Sequence, residues 1–271
     1  MRLLPQDLVA AGSGPLLDYV LEPYAGVRAG VHSVSVLRWF LRQNRWMELW
    51  PILERCQELL GPDQTVWGIK DVPGVELYFY NHGGDHMTVE RLAEGFRGLV
   101  DIPVPDLGDQ RYLMCSLELG AQTLATRASE GFRIYVAGRT EDHAPDGTSY
   151  LCRSDGLELE NFYWFYPPSQ LARVIGHLKR SVHVGAVRSV LERNALDCHT
   201  VCFANKRHTD ALYYSRLSLQ QTRAMLEARW PGPVAELFRD DGDAFQELRW
   251  DVGYDLHRRG QQAKVGLYGF W

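Results

Sequence analysis

The sequence predicts an α+β fold in which about ten antiparallel β-strands close into a barrel around a wet lumen, with helices packed outside. Two observations lead to this prediction. The order helix, helix, strand, strand recurs along the 271 residues, although the sequence itself does not repeat. The predicted strands are mostly apolar on one face only, and such a face must be covered by helices. Because short turns join the strands in pairs, we expect antiparallel pairing.

Composition is typical of a globular protein, and we expect one domain spanning residues 1–271. The net charge of −5 argues against a nucleic-acid partner. No apolar run approaches the ~20 residues of a membrane span, and the N-terminus lacks an apolar signal-peptide core. We therefore expect no membrane partner and a cytoplasmic location. The five scattered cysteines are typical of reduced thiols.

The N-terminal half predicts helices followed by two strand pairs. Apolar spacing indicates a helical region from Ser33 to about Leu60, which Pro51 either divides into two helices or kinks. Further helices are predicted around Leu16–Leu21 and at Met87–Val100. The strands are predicted at Thr65–Asp71, Val75–Asn81, Tyr112–Leu119 and Phe132–Arg139.

The C-terminal half predicts three more strand pairs with helices between them. The strands are predicted at Ser149–Arg153, Leu157–Tyr166, His199–Lys206, Asp210–Leu217, Phe245–Leu256 and Ala263–Trp271. The helices are predicted after Pro168 and at Val184–Asn194, Leu219–Trp230 and Val234–Arg239. Ser218 and Gln221 have the spacing of a capping box at the start of the third helix.

The strand within residues 131–139 contains the first candidate for ligand binding. Arg133 and Tyr135 alternate with apolar residues and therefore share one face of this strand. An arginine and a tyrosine directed into an enclosed space are suited to hold an anion. A half-exposed strand with a solvated arginine is the structural alternative.

If the apolar faces of the strands pack on helices, their other faces line the lumen. The predicted lumen residues are Glu76, Tyr78, Tyr80, Ser116, Glu118, Arg133, Tyr135, Glu160, Phe162, Trp164, Tyr166, Cys202, Lys206, Tyr213, Trp250, Tyr254, Lys264 and Tyr268. Buried basic groups require a compensating charge, and the aromatic residues offer a wall for an apolar tail. An isoprenyl diphosphate combines both features. Alternatively, Glu76, Glu118 and Glu160 balance the basic residues.

Four segments of the C-terminal half resemble a known enzyme family. They contain Ala-Ser-Glu-Gly-Phe-Arg-Ile-Tyr, Ser-Asp-Gly followed by Phe-Tyr-Pro, Ala-Asn-Lys followed by Ala-Leu-Tyr-Tyr, and Trp-Asp-Val-Gly-Tyr followed by Lys-Val-Gly-Leu-Tyr. In order, they lie within Ala125–Arg139, Ser154–Pro167, Thr200–Leu217 and Arg249–Gly269. With the succession of helices and strands, they resemble the ABBA prenyltransferases, and among these the cyanobactin peptide prenyltransferases.

The resemblance implies an enzyme whose barrel lumen binds dimethylallyl or geranyl diphosphate with Mg²⁺. It implies transfer of the C5 or C10 isoprenyl group to a side chain of a ribosomally made, macrocyclic peptide, as in the biosynthesis of RiPPs, and we expect a monomer. The residues that it assigns to the diphosphate or to shielding of the carbocation are Arg133, Tyr135, Lys206, Tyr213, Lys264 and Tyr268. The remaining aromatic lumen residues and Cys202 would form the prenyl and acceptor pocket, with Trp250 on the prenyl tail.

The chain departs from the family pattern at two places. Ala137 stands where relatives carry a third basic residue, and no acidic residue clearly matches the one near the start of their first strand. The candidates for the base that deprotonates the acceptor are therefore Asp71, Glu76 and Glu118. The acceptor itself, a Tyr, Trp, His or Arg side chain or a peptide terminus, stays open. The alternatives are an ABBA enzyme that modifies a small aromatic metabolite, a non-catalytic carrier of an apolar ligand, and a structural module with a packed lumen.

Overall fold

A computed structural model describes residues 2–10, 31–60, 65–80, 88–108, 111–138, 144–184, 186–257 and 261–270. Within them, ten strands form a closed antiparallel barrel, in which each strand pairs with its neighbours along the chain and the last strand pairs with the first. The strands are β1 (Thr65–Lys70), β2 (Gly74–Tyr80), β3 (Met114–Leu119), β4 (Gly131–Ala137), β5 (Gly147–Arg153), β6 (Gly156–Tyr166), β7 (Val201–Lys206), β8 (Asp210–Leu217), β9 (Trp250–His257) and β10 (Gln261–Phe270). Every predicted strand is present, which confirms the α+β barrel.

Two helices precede the first strand, one short helix connects the third strand to the fourth, and the other described helices lie between successive strand pairs. They are α1 (Val34–Gln43), α2 (Trp50–Leu60), α3 (Val89–Gly95), α4 (Ala121–Thr126), α5 (Leu171–Arg180), α6 (Val187–Val190), α7 (Leu219–Arg229) and α8 (Pro233–Asp240). The helix predicted around Leu16–Leu21 lies outside the described residues. In the part of the chain that the structure describes, no helix is long and apolar enough to cross a membrane.

Several helix bounds differ from the prediction for local reasons. The region from Ser33 to Leu60 forms two helices, and the break comes before Pro51, at Arg45, whose φ of 60° is left-handed. Proline is tolerated in the first turn of α2, where its missing N–H would have no partner in any case. Ser218 accepts a hydrogen bond from the backbone N–H of Gln221, so the predicted capping box is confirmed. The short α4 was missed.

One hydrophobic core fills the space between the helices and the outer face of the barrel. On β2, Val75, Leu77 and Phe79 are fully buried, and Phe79 contacts Phe96 beyond α3. Burial of apolar side chains on this scale is the main source of stability in a globular protein, at about 25 cal/mol per Å². The opposite faces of the same strands are therefore free to carry polar groups toward the lumen.

The outer wall formed by β5 and β6 is the least covered. In the described part of the chain, no helix lies between β4 and β6. On the outward face of this hairpin, Leu159 is 46% exposed and Tyr150 is half-buried.

The two ends of the barrel differ in their connections. The connections that join β1 to β2, β5 to β6, β7 to β8 and β9 to β10 are short and lie at one end, which we call the hairpin end. The connections that contain α3, α5 with α6, and α7 with α8 lie at the other end. Along β1, Val66, Gly68 and Lys70 face the lumen in turn, so Lys70 is nearest the hairpin end and Val66 nearest the helical end.

Candidate functional site

Charged side chains from five strands form an alternating series across one side of the lumen. Lys70 on β1 lies between two carboxylates, with its Nζ 2.6 Å from Glu76 Oε1 and bonded to Glu118 Oε1. Arg133 on β4 binds the other oxygen of Glu118, with Nη1 2.9 Å from Oε2. Its Nε lies 2.5 Å from Glu160 Oε2 on β6. Lys70 is only 3% exposed, so this series is screened little by water.

Opposite charges in this series hold one another in the ionised form. Burial and the adjacent Glu76 would raise the pKa of Glu118, but Lys70 and Arg133 outweigh both and lower it. Burial likewise opposes ionisation of Glu76, yet the attraction of Lys70 and Lys264 holds its pKa well below the usual range. The pKa of Arg133 is raised despite its burial, because Glu160 binds it. Glu76, Glu118 and Arg133 are therefore charged at neutral pH.

A second set of charges lies on β7, β9 and β10. Lys206 Nζ donates to Asp255 Oδ1 at 2.9 Å and to the hydroxyl of Tyr213 at 2.9 Å. Lys264 Nζ lies 3.7 Å from Asp255 Oδ2, which is too long for a hydrogen bond. Burial, followed by repulsion from Lys206 and Lys70, lowers the pKa of Lys264. We call these charges and the alternating series together the charged layer: Lys70, Glu76, Glu118, Arg133, Glu160, Lys206, Asp255 and Lys264.

A series of tyrosine rings lies against the charged layer. The five rings come from alternate strands and form what we call the tyrosine belt: Tyr163 (β6), Tyr135 (β4), Tyr78 (β2), Tyr268 (β10) and Tyr213 (β8). Successive ring centroids are 5.9, 6.2, 6.1 and 6.1 Å apart. Burial raises the pKa of every one of these phenols, so the belt is neutral at physiological pH.

Hydroxyl groups connect the belt to the charged layer. Tyr78 donates to Glu76 Oε2 at 2.8 Å, and Lys206 donates to Tyr213. The Lys206 ammonium also lies 5.5 Å from the centroid of the Tyr213 ring, a cation–π distance. The lumen therefore offers aromatic faces and fixed charges side by side.

Glycines on neighbouring strands make room for two rings of the belt. A Cβ atom on Gly68 would lie 2.5 Å from the Tyr268 ring, and one on Gly253 would lie 2.1 Å from the Tyr213 ring. Gly68 is the cross-strand partner of Tyr268, as Gly253 is of Tyr213. Each ring lies on the bare backbone of its partner, which leaves its other face directed toward the lumen.

The lumen becomes apolar beyond the belt, toward the helical end. Val66 and Phe270 are cross-strand partners and form a small buried cluster with Tyr268, against which Tyr80 packs. The lumen thus has a charged end, a tyrosine belt and an apolar end in succession.

The structure brings most of the predicted site residues into this lumen. Those that face it as predicted are Glu76, Tyr78, Tyr80, Ser116, Glu118, Arg133, Tyr135, Glu160, Cys202, Lys206, Tyr213, Lys264 and Tyr268. Cys202 pairs with Tyr213, and burial raises the pKa of its thiol well above the usual range. Asp71 is different, because its Oδ1 accepts the backbone N–H groups of Val72 and Val265 at the turn after β1. Its contacts are those of a turn-stabilising carboxylate.

The prediction for the C-terminal part of β6 was wrong. Phe162, Trp164 and Tyr166 face the helices: the Trp164 ring lies 4.7 Å from His177 of α5, and the Tyr166 hydroxyl is 2.8 Å from His177 Nε2. The register of β5 with β6 shifts at Glu160, so one extra residue reverses the alternation that follows. Tyr163 consequently faces the lumen, where Asn161 Nδ2 donates to its hydroxyl at 3.0 Å.

The lumen positions predicted for Trp250 and Tyr254 were also wrong. Trp250 packs between the barrel and α8, with its ring 4.9 Å from Phe238 and 6.0 Å from Trp67. Tyr254 donates to the carbonyl of Val190. Both lie on the apolar face of β9, so the lumen receives Asp251 and Asp255 instead.

Sequence reasoning missed three functional candidates: Lys70, Asp255 and Tyr163. Strict alternation would have found the first two, because Lys70 follows outward-facing Trp67 and Ile69, and Asp255 alternates with outward-facing residues of β9. Tyr163 had no such signal, because the bulge before it is invisible in the sequence.

The described residues contain no group of three or more His, Cys, Asp or Glu side chains arranged to hold a metal ion. The lumen carboxylates are instead occupied by lysine and arginine. They do not form a ready Mg²⁺ site, so the cofactor stays a prediction.

Neither the models of known protein families nor the curated proteins gave a match to this chain. The functional conclusion therefore depends on the lumen and on the resemblance described above.

Proposed function

We propose that the protein is a prenyltransferase with an ABBA-type barrel, which transfers a C5 or C10 isoprenyl group from dimethylallyl or geranyl diphosphate to a side chain of a peptide. The observation that favours this function most is the tyrosine belt beside four buried or half-buried cations: Lys70, Arg133, Lys206 and Lys264. An allylic diphosphate needs both elements, since its head group is anionic and its reacting carbon becomes cationic.

In the proposed reaction, the bond between the allylic carbon and the diphosphate oxygen breaks, and the oxygen keeps the electron pair. Cations of the charged layer stabilise the leaving diphosphate. The electron-rich faces of the belt stabilise the allylic cation, and the enclosed lumen excludes water that would capture it. An acceptor atom then bonds to the allylic carbon and loses its proton to a carboxylate. The apolar end at Val66 and Phe270 would hold the rest of the chain.

Glu76 and Glu118 are the candidates for that base. Asp71 accepts hydrogen bonds from backbone amides at a turn, and its described hydrogen bonds involve no residue of the charged layer. Glu76 adjoins the belt through Tyr78, and Glu118 is the cross-strand partner of Glu76. The peptide acceptor and the role of Mg²⁺ come from the resemblance alone. In this proposal Mg²⁺ would lie mainly on diphosphate oxygens, as is usual for this ion, and supply further positive charge.

The test is incubation with dimethylallyl or geranyl diphosphate, Mg²⁺ and a panel of cyclic and linear peptides, followed by mass spectrometry. We expect one peptide to gain the mass of a C5 or C10 unit. Lys206→Ala should reduce the rate at least tenfold, because it removes the cation bound to Tyr213. Arg207→Ala is the matched control, since Arg207 is the adjacent cation but is exposed on the hairpin. Equal rates for wild type and Lys206→Ala would refute the assignment of the site.

Non-catalytic carriage of an apolar ligand is a second candidate, and the internal pairing of the lumen charges favours it. Arg133 and Lys206 already have carboxylate partners and need no anion. Such a carrier would bind the free alcohol geraniol at least as tightly as geranyl S-thiolodiphosphate. A prenyltransferase should prefer the thiolodiphosphate, and calorimetric titration with both compounds distinguishes the two functions.

A further inference from the structure

The charges of the charged layer cancel. Its four cations face four carboxylates: Lys70, Arg133, Lys206 and Lys264 against Glu76, Glu118, Glu160 and Asp255. A diphosphate head group brings several negative charges to this neutral, largely buried layer. Burial of uncompensated charge is costly, so its entry requires positive charge from elsewhere.

The hydrogen bonds of Glu118 show where positive charge would be lacking once the head group has bound. Glu118 has both of its carboxylate oxygens bound by cations, Oε1 by Lys70 and Oε2 by Arg133 at 2.9 Å. A phosphate oxygen that accepts a hydrogen bond from Lys70 or Arg133 competes with Glu118 for that cation. The attraction that keeps Glu118 ionised is then weaker. The nearby Glu76 then repels Glu118 with less compensation. Two neighbouring carboxylates in that situation share a proton.

We propose that binding of a diphosphate head group in this lumen is coupled to uptake of a proton by the carboxylates of the charged layer, with Glu118 as the main acceptor. This inference rests on the proposed function, because it concerns the same ligand at the same site. A protonated Glu118 is neutral and has an O–H group to donate to a phosphate oxygen. The proton comes from solvent and returns there when the diphosphate leaves.

The charged and titratable groups that face Glu118 come from every strand around it. They are Lys70 on β1, Glu76 and Tyr78 on β2, Arg133 and Tyr135 on β4, Glu160 on β6, and, across the lumen, Lys206, Asp255, Lys264, Tyr213 and Tyr268. Lys70 and Arg133 now lower the pKa of Glu118 against its burial. An added anion acts in the opposite direction on the same carboxylate, so the pKa rises when the ligand binds.

The experiment is calorimetric titration of the full chain with geranyl S-thiolodiphosphate in EDTA, using buffers of different ionisation enthalpy between pH 6 and 8. The dependence of the heat on the buffer gives the number of protons taken up. We expect about one proton per ligand, and an affinity that rises up to about tenfold for each unit of decrease in pH. Glu118→Gln should bind more tightly than wild type at pH 8 and take up fewer protons.

Glu58→Gln is the matched control, because Glu58 is an exposed carboxylate of α2 that is bound to Arg55 outside the barrel. It should behave as wild type. Protons bound by the ligand itself are the same for every variant, so the difference between Glu118→Gln and Glu58→Gln reports the protein. Binding by wild type without proton uptake beyond the ligand's own would overturn the inference and leave the proposed function standing. Absence of binding at every pH, in EDTA and with Mg²⁺ alike, would overturn both.

Discussion

Lys264 is the cation of the charged layer with the weakest ion pair. Its Nζ is 3.7 Å from Asp255, while Lys206 holds the same carboxylate at 2.9 Å. Burial and two neighbouring lysines lower its pKa, so the folded protein keeps this charge at a cost in stability. Functional groups are often destabilising in this way, because the ligand supplies the missing partner.

Lys264→Met should therefore raise the free energy of unfolding at pH 7, by up to about 1 kcal/mol, and weaken binding of geranyl S-thiolodiphosphate. The folded pKa of Lys264 lies below its unfolded value, so the unfolded state binds more protons between the two values. The advantage of the variant is present below the folded pKa and disappears as the pH rises toward about 10.4. Urea unfolding at pH 7 and pH 10 measures it.

Lys206→Met is the contrasting substitution. It leaves Asp255, which is 7% exposed, with only the distant ammonium of Lys264 and the hydroxyl of Thr209. Loss of one partner of a buried pair costs about 3 kcal/mol. A destabilised Lys264→Met together with an unchanged Lys206→Met would contradict the difference between the two ion pairs.

A substitution at Gly253 tests the contact between the Tyr213 ring of the belt and the backbone of β9. The Cβ atom of alanine would lie 2.1 Å from the Tyr213 ring, so the ring must move into the lumen. Gly253→Ala should lower the free energy of unfolding by about 1–3 kcal/mol, measured by urea unfolding. Gly147→Ala is the control, because the nearest atom to its added Cβ is 3.7 Å away, an ordinary contact. A Gly253→Ala protein as stable as Gly147→Ala would show that the ring does not lie there.

Arg133 shows what the sequence could and could not predict at the scale of a residue. Alternation along β4 correctly placed its side chain in the lumen. Its partners come from β3 and β6, and the register of strands distant in sequence decides which carboxylates reach it. Arg133, which was predicted to hold an anion, is thus ion-paired with Glu118 and Glu160 in the ligand-free protein. This arrangement fits the alternative prediction, that the glutamates balance the basic residues, better than it fits an anion site.

At the scale of elements, β6 determines which aromatic residues reach the lumen. The unpaired Glu160 reverses the alternation of the residues that follow it. Residues 162 to 166 are all aromatic, so this part of the strand has no distinct apolar and polar faces. The sequence therefore does not indicate which of these side chains face the lumen. By contrast, the clear alternation on β2 and β8 allowed correct prediction of Tyr78 and Tyr213.

Neighbouring substitutions on β6 should separate its two faces. Trp164→Ala removes a ring packed on His177 and Phe203, and should cost roughly 2–4 kcal/mol without changing ligand affinity. Tyr163→Leu removes a ring of the belt and should weaken binding of geranyl S-thiolodiphosphate severalfold, at a smaller cost in stability. Thermal unfolding and calorimetric titration measure both effects. The reverse pattern would mean that the bulge is absent.

At the scale of the whole molecule, the barrel depends on the pairing of β1 with β10, which joins distant parts of the chain. Ser33, at the start of α1, lies over this junction and is buried. Its Oγ donates to the carbonyl of Phe270 on β10 and accepts from Trp67 Nε1 on β1 at 3.2 Å. The succession of elements in the sequence indicated that the barrel closes, but not this contact.

Ser33→Ala should lower the free energy of unfolding by about 1–3 kcal/mol, because it leaves a buried carbonyl and a buried indole N–H without their shared partner. The denaturant midpoint should fall while the slope of the transition stays the same. Ser169→Ala, at an exposed serine, should change stability by less than about 0.5 kcal/mol. Equal midpoints for the two variants would exclude a role of Ser33 in closure.

The sparsely covered wall of β5 and β6 has a consequence for the dynamics of the protein. A hairpin with a half-exposed outer face gains less from burial than β9, whose outward residues Trp250, Val252, Tyr254 and Leu256 are buried. Proteins open locally where such packing is thinnest, in cooperative units smaller than the whole fold. We therefore expect the backbone amides of β5 and β6 to exchange with deuterium first. Since Glu160 belongs to this hairpin, each local opening would transiently release Arg133 from Glu160 and leave Glu118 as its carboxylate partner.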